Sequence, residues 1–434
     1  MYTAYIGRRI VDLYNEHDND GPALGPREFF DEVLFPLAFD DERYLFWPNN
    51  APFAQPKYSG SREDPEVRQE ALAETHEKIG DIEQPVGHLF MGGMAAGAME
   101  TTSGQVSTVG VSADSDDAYC SWIGAMAGIG CSGLSFLIDH DAVLQAVLEG
   151  WSLYRKYLDH TPSMKGNQIS TWNGWWLTHR LGWDYDENDP LRDFDPPGTK
   201  DISRQQNWAQ VMFALARHLP DERLTAYVYS LGNTNTTIGF RQLFLPEVNY
   251  LTELYERLFG EVEGVTARRL SEVFKPEYSV FQACRQGAIG LKALQPEKLR
   301  DYVPDRRDAK MPNTTRSKPK FTRYLVFQTW IIAMLNNEDL IDTTEQLAQA
   351  LREHAESGEK GRTKAKRRAE QVLDASRERE FLEALTEVVE NDGSHASLFD
   401  EIADEVVKMP SSDFPLFATL LRLKYKVFSQ QQSV

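Results

Sequence analysis

The fold class this sequence predicts is α+β, a mixed N-terminal body followed by a C-terminal all-α helical bundle. Three observations predict it. Residues Gln105–Val111 alternate and are β-branched, and Leu224–Leu231 is similar, so both read as strands. Asp141–Leu158 and Gln206–Leu219 carry apolar side chains at helical spacing. Beyond Phe321 every apolar stripe has the helical period. At 434 residues the chain exceeds one ordinary core. The expected division is a body over 1–300, an exposed basic linker over 301–320 and a bundle over 321–434.

In the body, Ile10, Val11, Leu13 and Tyr14 define the face of a first helix. Pro and Asn punctuate 47–56, and Glu66–Ile79 reads as a polar, solvent-facing helix. The Gly-, Ala- and Ser-rich run that ends in Trp122–Gly133 suits backbone packed against backbone. A phosphate cradle is excluded, because Gly93–Gly97 lacks the Gly-Lys-Ser/Thr ending of a P-loop. Trp172, Trp175 and Trp176 fall at helical spacing and read as core. Asn233–Thr237 is a polar turn, and Pro246–Gly260, Val265–Phe274 and Val280–Leu294 read as helices.

The linker holds Pro304, Pro312 and Pro319 among many charges. In the bundle, Thr343-x-x-Gln346 is a capping box for a helix to Leu351. Phe381, Leu382, Leu385, Val388 and Val389 form one stripe, and Leu398, Phe399, Ile402, Val406 and Val407 form another. Pro415 opens the last helix, which buries Leu416, Leu420 and Leu423. Short connections between such helices argue for a bundle.

Charge is uneven along this scaffold. Residues 1–150 hold 8 Lys/Arg against 25 Asp/Glu, whereas the whole chain has a net charge of −20. Two basic islands stand out. Lys298–Arg323 has nine basic residues against three Asp, and Lys360–Arg368 has six with no acid. An acidic protein that concentrates positive charge in two places presents them to a polyanion, and the contact must be local. In a helix Lys364, Arg367 and Arg368 share one face, where they repel one another until phosphates neutralise them. Lys165, Asn167 and Gln168, and the turn with Asn233, Asn235 and Thr236, offer amides and hydroxyls that can read a groove.

Catalysis has weaker signatures. Asp114, Asp116, Asp117, Asp139 and Asp141 around His140 are the acids a metal-dependent hydrolase would use. There is no HExxH and no Cys-x-x-Cys, and an Asp at the start of the 141–158 helix suits an N-cap. Cys131-Ser132-Gly133 is not a nucleophile elbow. No cofactor and no metal is expected. Three cysteines fit a reducing cytosol, and no apolar run reaches the length of a membrane span, so a cytoplasmic location without membrane contact is expected.

The opening Tyr5-Ile6-Gly7-Arg8-Arg9-Ile10-Val11-Asp12 and the ending Met409-Pro410 through Phe414-Pro415-Leu416-Phe417 to Arg422 carry a resemblance. With the two-part layout, they resemble the large subunit of type I CRISPR interference complexes (Cascade), nearest the I-B branch. The resemblance implies a non-catalytic role in antiviral defence beside the guide RNA and the other Cascade subunits. Such a subunit recognises the motif flanking the target (the PAM) in double-stranded DNA. It also stabilises the opened R-loop and helps recruit a nuclease-helicase in trans. Carried onto this sequence, strand holding goes to Lys364, Lys366, Arg367 and Arg368, with Arg316, Lys318, Lys320 and Arg323. Motif reading goes to Asn233, Asn235 and Thr236, or to Lys165, Asn167 and Gln168. The alternatives are a metal-dependent nuclease or hydrolase, and a cytosolic scaffold without nucleic-acid binding.

Overall fold

The computed structural model describes residues 2–46, 53, 63–80, 114–196, 202, 204–230, 236–262, 265–304, 310, 318–357, 362–391 and 393–431. The strand expected at Gln105–Val111, the Gly93–Gly97 stretch and most of the linker lie outside the described residues. The chain forms two compact units. One holds Met1–Leu245 with Val280–Ala288, and the other holds Pro246–Ser279 with Ile289–Val434. The first is a mixed region of strands and helices, and the second ends in a run of several long helices.

The first unit begins with α1 (Tyr2–His17), which buries Ile6, Ile10, Val11 and Leu13 on one face. Next, α2 (Pro26–Phe29) passes through a π-helical turn (Phe30–Leu34) into α3 (Phe35–Ala38). Helix α4 (Pro65–Ile79) is not wholly solvent-facing as its composition suggested. Arg68, Ala71, Thr75 and Ile79 recur three and four residues apart and form a buried stripe. Helix α5 (Ser115–Met126) is capped by Asp114, whose carboxylate accepts from Asp117 N at 2.8 Å.

Helices α1 and α5 cross with their backbones in contact. A Cβ on Gly7 would collide with the carbonyl of Cys120, and one on Gly124 with the carbonyl of Thr3. The small-residue run therefore serves close packing, as its composition indicated.

Strands β1 (Ile129–Cys131), β2 (Leu134–Ile138), β3 (Arg223–Ser230) and β4 (Thr236–Phe244) form an antiparallel sheet in chain order. The two-residue β5 (Ala288–Ile289) extends its far edge. The β1–β2 turn is Ser132-Gly133, with φ of +48° and +89°, so Gly supplies the conformation that a tight hairpin demands.

Helices α6 (Asp141–His160), α7 (Ile169–Arg180) and α8 (Trp208–His218) pack in series, with α7 also against β1. Trp172 and Trp176 are fully buried in α7, and their rings lie 6.4 Å apart and near parallel. Their indole N–H groups donate to Gly150 O (2.8 Å) and Ala146 O (2.7 Å) on α6. Trp172 and Trp176 are core, as read from their spacing, whereas Trp175 is half-buried and its indole N–H donates to Arg204 O at 2.8 Å.

Next along the chain come α9 (Leu245–Phe259) and α10 (Ala267–Val273). The helix expected over Val280–Leu294 is only α11 (Val280–Arg285), part of the first unit. It stops because Gly287 takes a φ of +85° and β5 follows. The long helices are α12 (Lys318–Leu335), α13 (Leu340–Glu356), α14 (Arg362–Asp374), α15 (Glu378–Asn391), α16 (Ala396–Lys408) and α17 (Phe414–Gln431).

Helix α13 starts three residues before the expected capping box. Thr343 lies inside its first turn, and its hydroxyl donates to Asp339 O at 2.9 Å. Helix α17 packs against α12, α13 and α14, and Phe414 and Phe417 meet Phe381 of α15 edge-on. Pro415 sits in its first turn, and Leu420 and Leu423 are buried, although Leu416 stays half-buried. None of the described helices is long and apolar enough to cross a membrane.

Two predictions follow from this packing. Gly7→Ala and Gly124→Ala should each cost on the order of 1–3 kcal/mol by forcing α1 off α5, read as a lower urea midpoint. Gly393→Ala, which meets open space, should leave the midpoint unchanged. Burial holds His76, His179 and His218 below the ordinary 6.5, with Arg180 and Arg217 adding to the effect at His218. The unfolded chain therefore takes up these protons first as pH falls through 6.5, and stability drops there. Urea titrations at pH 7.0 and 5.5 should show that loss, and His179→Gln should shrink it.

Candidate nucleic-acid interface

Helix α14 is built with two faces. Ala365, Ala369 and Val372 recur at i, i+4 and i+7 and, with Leu373, are buried. That seam packs against α13, α15 and α17. With the alanines turned inward, Lys364, Lys366 and Arg367 are exposed and Arg368 is half-buried. Among the described residues, Lys364, Arg367 and Arg368 have no carboxylate partner. Lys366 meets Glu370 at 3.8 Å, and both side chains are more than half exposed. Such a pair contributes little and leaves the cation available.

The position of these charges within the helix matters. Residues 362–368 carry five basic side chains and no acid. They occupy the end of α14 where the backbone dipole is already positive. Mutual repulsion and the dipole both oppose the arrangement, and a bound anion relieves both. Glu370 and Asp374 sit toward the other end.

The second basic island is only partly placed. Arg316 lies outside the described residues. The backbone of Lys318 and Lys320 forms the first turn of α12, and their side chains lie outside the description. Arg323 is exposed on α12 and faces Tyr302 electrostatically.

The polar turns fall in the first unit. Asn233 and Asn235 lie outside the described residues, in the connection between β3 and β4. Thr236 is exposed and opens β4 opposite Ser230. In 165–168 the backbone serves the fold. Asn167 has a φ of +61° and its N–H donates to Tyr44 O, while Ile169 N donates to Leu45 O at 3.3 Å. Gly166 presses on the carbonyl of Tyr44, where a side chain has no room. The side chains of Lys165 and Asn167 remain exposed, and Gln168 is half-buried. The structure thus gathers Lys364, Lys366, Arg367 and Arg368 on one element and leaves the other candidates on separate ones.

Asp114, Asp117, Asp139 and Asp141, four of the five candidate catalytic acids, are already engaged. Arg8 meets Asp117 at 2.7 Å and Asp114 at 4.0 Å. Arg9 pairs with Asp141 and stands 3.6 Å from Asp139, which also accepts from the Tyr5 hydroxyl at 2.6 Å. That hydrogen bond raises the Tyr5 pKa and keeps its proton in place. Asp139 and Asp141 do not cap α6. The cap residue is His140, and its side chain makes no capping bond. Among the described residues, no group of three or more His, Cys, Asp or Glu is placed to hold a metal.

Cys120, Cys131 and Cys284 are free and buried. Burial pushes the Cys284 thiol up to about 11 and the Cys120 thiol up to about 12, and raises Cys131 as well, so none is an activated nucleophile.

No family model, curated protein or solved structure matches the chain.

Proposed function

We propose that this chain is a non-catalytic nucleic-acid-binding subunit that holds a strand of an opened target along α14. The observation that carries the reading is the cationic face of exposed Lys364, Lys366 and Arg367 with half-buried Arg368, backed by a buried alanine seam and, among the described residues, nearly free of carboxylate partners. Cations fixed on a rigid helix neutralise a phosphate backbone with little loss of side-chain freedom. The acidic first unit repels the same backbone and confines the contact.

The resemblance to the Cascade large subunit supplies the wider frame. In it the chain is an α+β body over 1–300, a basic linker over 301–320 and an all-α bundle over 321–434, acting in the cytoplasm. Guide RNA, target DNA, the other Cascade subunits and a nuclease-helicase are its partners. Arg316, Lys318, Lys320 and Arg323 extend the strand contact. Asn233, Asn235 and Thr236, or Lys165, Asn167 and Gln168, face the flanking motif. Pairing of Asp114, Asp117, Asp139 and Asp141 with Arg8 and Arg9 favours the non-catalytic reading over the hydrolase alternative.

A salt series of binding to a fluorescent single-stranded oligonucleotide tests the proposal. Changing Lys364, Lys366, Arg367 and Arg368 together to Ala should weaken binding by at least about tenfold. It should also lower the slope of log affinity against log salt by about 2–3, at ~0.7 per lost phosphate contact. Arg379→Ala, which removes an exposed cation already paired with Glu383 at 2.7 Å, should change little. An unchanged slope in the quadruple variant removes α14 from the interface.

A further inference from the structure

The first unit carries a second feature that the strand-holding role does not use. An open cleft of about 620 Å³ lies where the first turn of α1 meets the β3–β4 pair and the start of α6. Its apolar wall is aromatic. The rings of Tyr2 and Tyr5 stack at 5.7 Å, and Phe240 meets Tyr2 edge-on at 5.0 Å. Tyr5 and Phe240 are 44% and 52% exposed, which is unusual for large rings on a folded surface. Tyr5 is not loose, because its hydroxyl donates to Asp139 at 2.6 Å, and the neighbouring Phe240 ring also rests on Tyr227 at 5.0 Å.

The polar side of the cleft sets two carboxylates, Asp139 and Glu222, beside His140 and Arg223. Asp139 is shared with Arg9, but Glu222 has no Lys or Arg partner among the described residues. Its one ion-pair contact is His140 Nε2 at 3.0 Å. Arg223, the cation in the lining, stands over the Phe244 ring at 5.1 Å. Residues 1–150, which supply Tyr2, Tyr5, Asp139 and His140 of the lining, are strongly acidic, so the long-range field of the unit favours a cation and disfavours a polyanion.

We propose that this cleft binds an arginine side chain from a basic peptide segment of a partner protein, with the guanidinium against Glu222 and over the exposed faces of Tyr5 and Phe240. Arginine suits both walls, because its planar head forms hydrogen bonds to a carboxylate and stacks on rings. A nucleobase would also stack on such rings, but its phosphates would meet the acidic field. The site is separate from α14, and its test does not depend on strand binding.

The probe is a fluorescein-labelled peptide with three arginines spaced by glycine, titrated into the full chain by anisotropy. Phe240→Leu keeps an apolar side chain but removes the ring face, and Glu222→Gln removes the carboxylate charge. Each should weaken binding about two- to fivefold, the range of an exposed cation–π or ion-pair contact, without lowering the thermal midpoint. Asp20→Asn, at an exposed acid outside the cleft, should have no effect. Equal weakening by Glu222→Gln and Asp20→Asn, with Phe240→Leu unchanged, would mean general charge attraction and overturn the proposal. So would unchanged affinity in Phe240→Leu and Glu222→Gln. Single-stranded DNA whose binding is lost in Phe240→Leu would replace it with a base-stacking site.

Discussion

An α-helix as short as α14 has one face to bury, and here that face belongs to Ala365, Ala369 and Val372. The 3.6-residue period then decides everything else about it. Lys364, Lys366 and Arg367 must project into solvent, because the alternate rotation would bury cations and expose the seam. Small alanines also let α14 sit close to its neighbours. A cationic ridge held this way is a property of packing as much as of charge. Its orientation is fixed by the packing of its buried seam on α13, α15 and α17, not by ion pairs on its own surface.

The first unit solves the opposite electrostatic problem. It must fold with a large excess of carboxylates, and like charges oppose compaction. The crossing of α1 on α5 at Gly7 and Gly124 brings Arg8 and Arg9 to Asp114, Asp117, Asp139 and Asp141. Exposed pairs of this kind add little stability individually. Their consequence is chemical, since Asp139 and Asp141, on either side of His140 in the chain, are committed to Arg9. The same crossing sets Tyr2 and Tyr5 beside the sheet, where the aromatic cleft forms.

Much of this was legible in the sequence where one periodicity dominated. Asp141–His160 buries the stripe that its spacing announces, whereas the helices after Phe321 bury only the centres of theirs, leaving Leu382, Val389 and Leu398 half-buried and Val407 66% exposed. The basic segment could be seen, but its display could not, because Ala365 and Ala369 are too small to register as an apolar stripe. Strand β2 was missed because all five of its residues are buried, so it does not alternate. Strand β4 was hidden by Gly239 and Arg241, although Ser132-Gly133 was an available hairpin signal for β1–β2. The helix expected through Leu294 overran Gly287, where a left-handed backbone outweighs apolar spacing. The aromatic cleft had no local signature, since Tyr5, Glu222 and Phe240 are joined only by tertiary structure.

The central claim is that a nucleic-acid strand runs along the outer face of α14. A photo-crosslinking amino acid placed at Thr363, an exposed position on that face, tests it most directly. The account predicts efficient capture of an end-labelled single-stranded oligonucleotide at low salt, fading as salt rises, with little capture from the same group at exposed Val407 on α16. Capture at Thr363 no greater than at Val407 would contradict it.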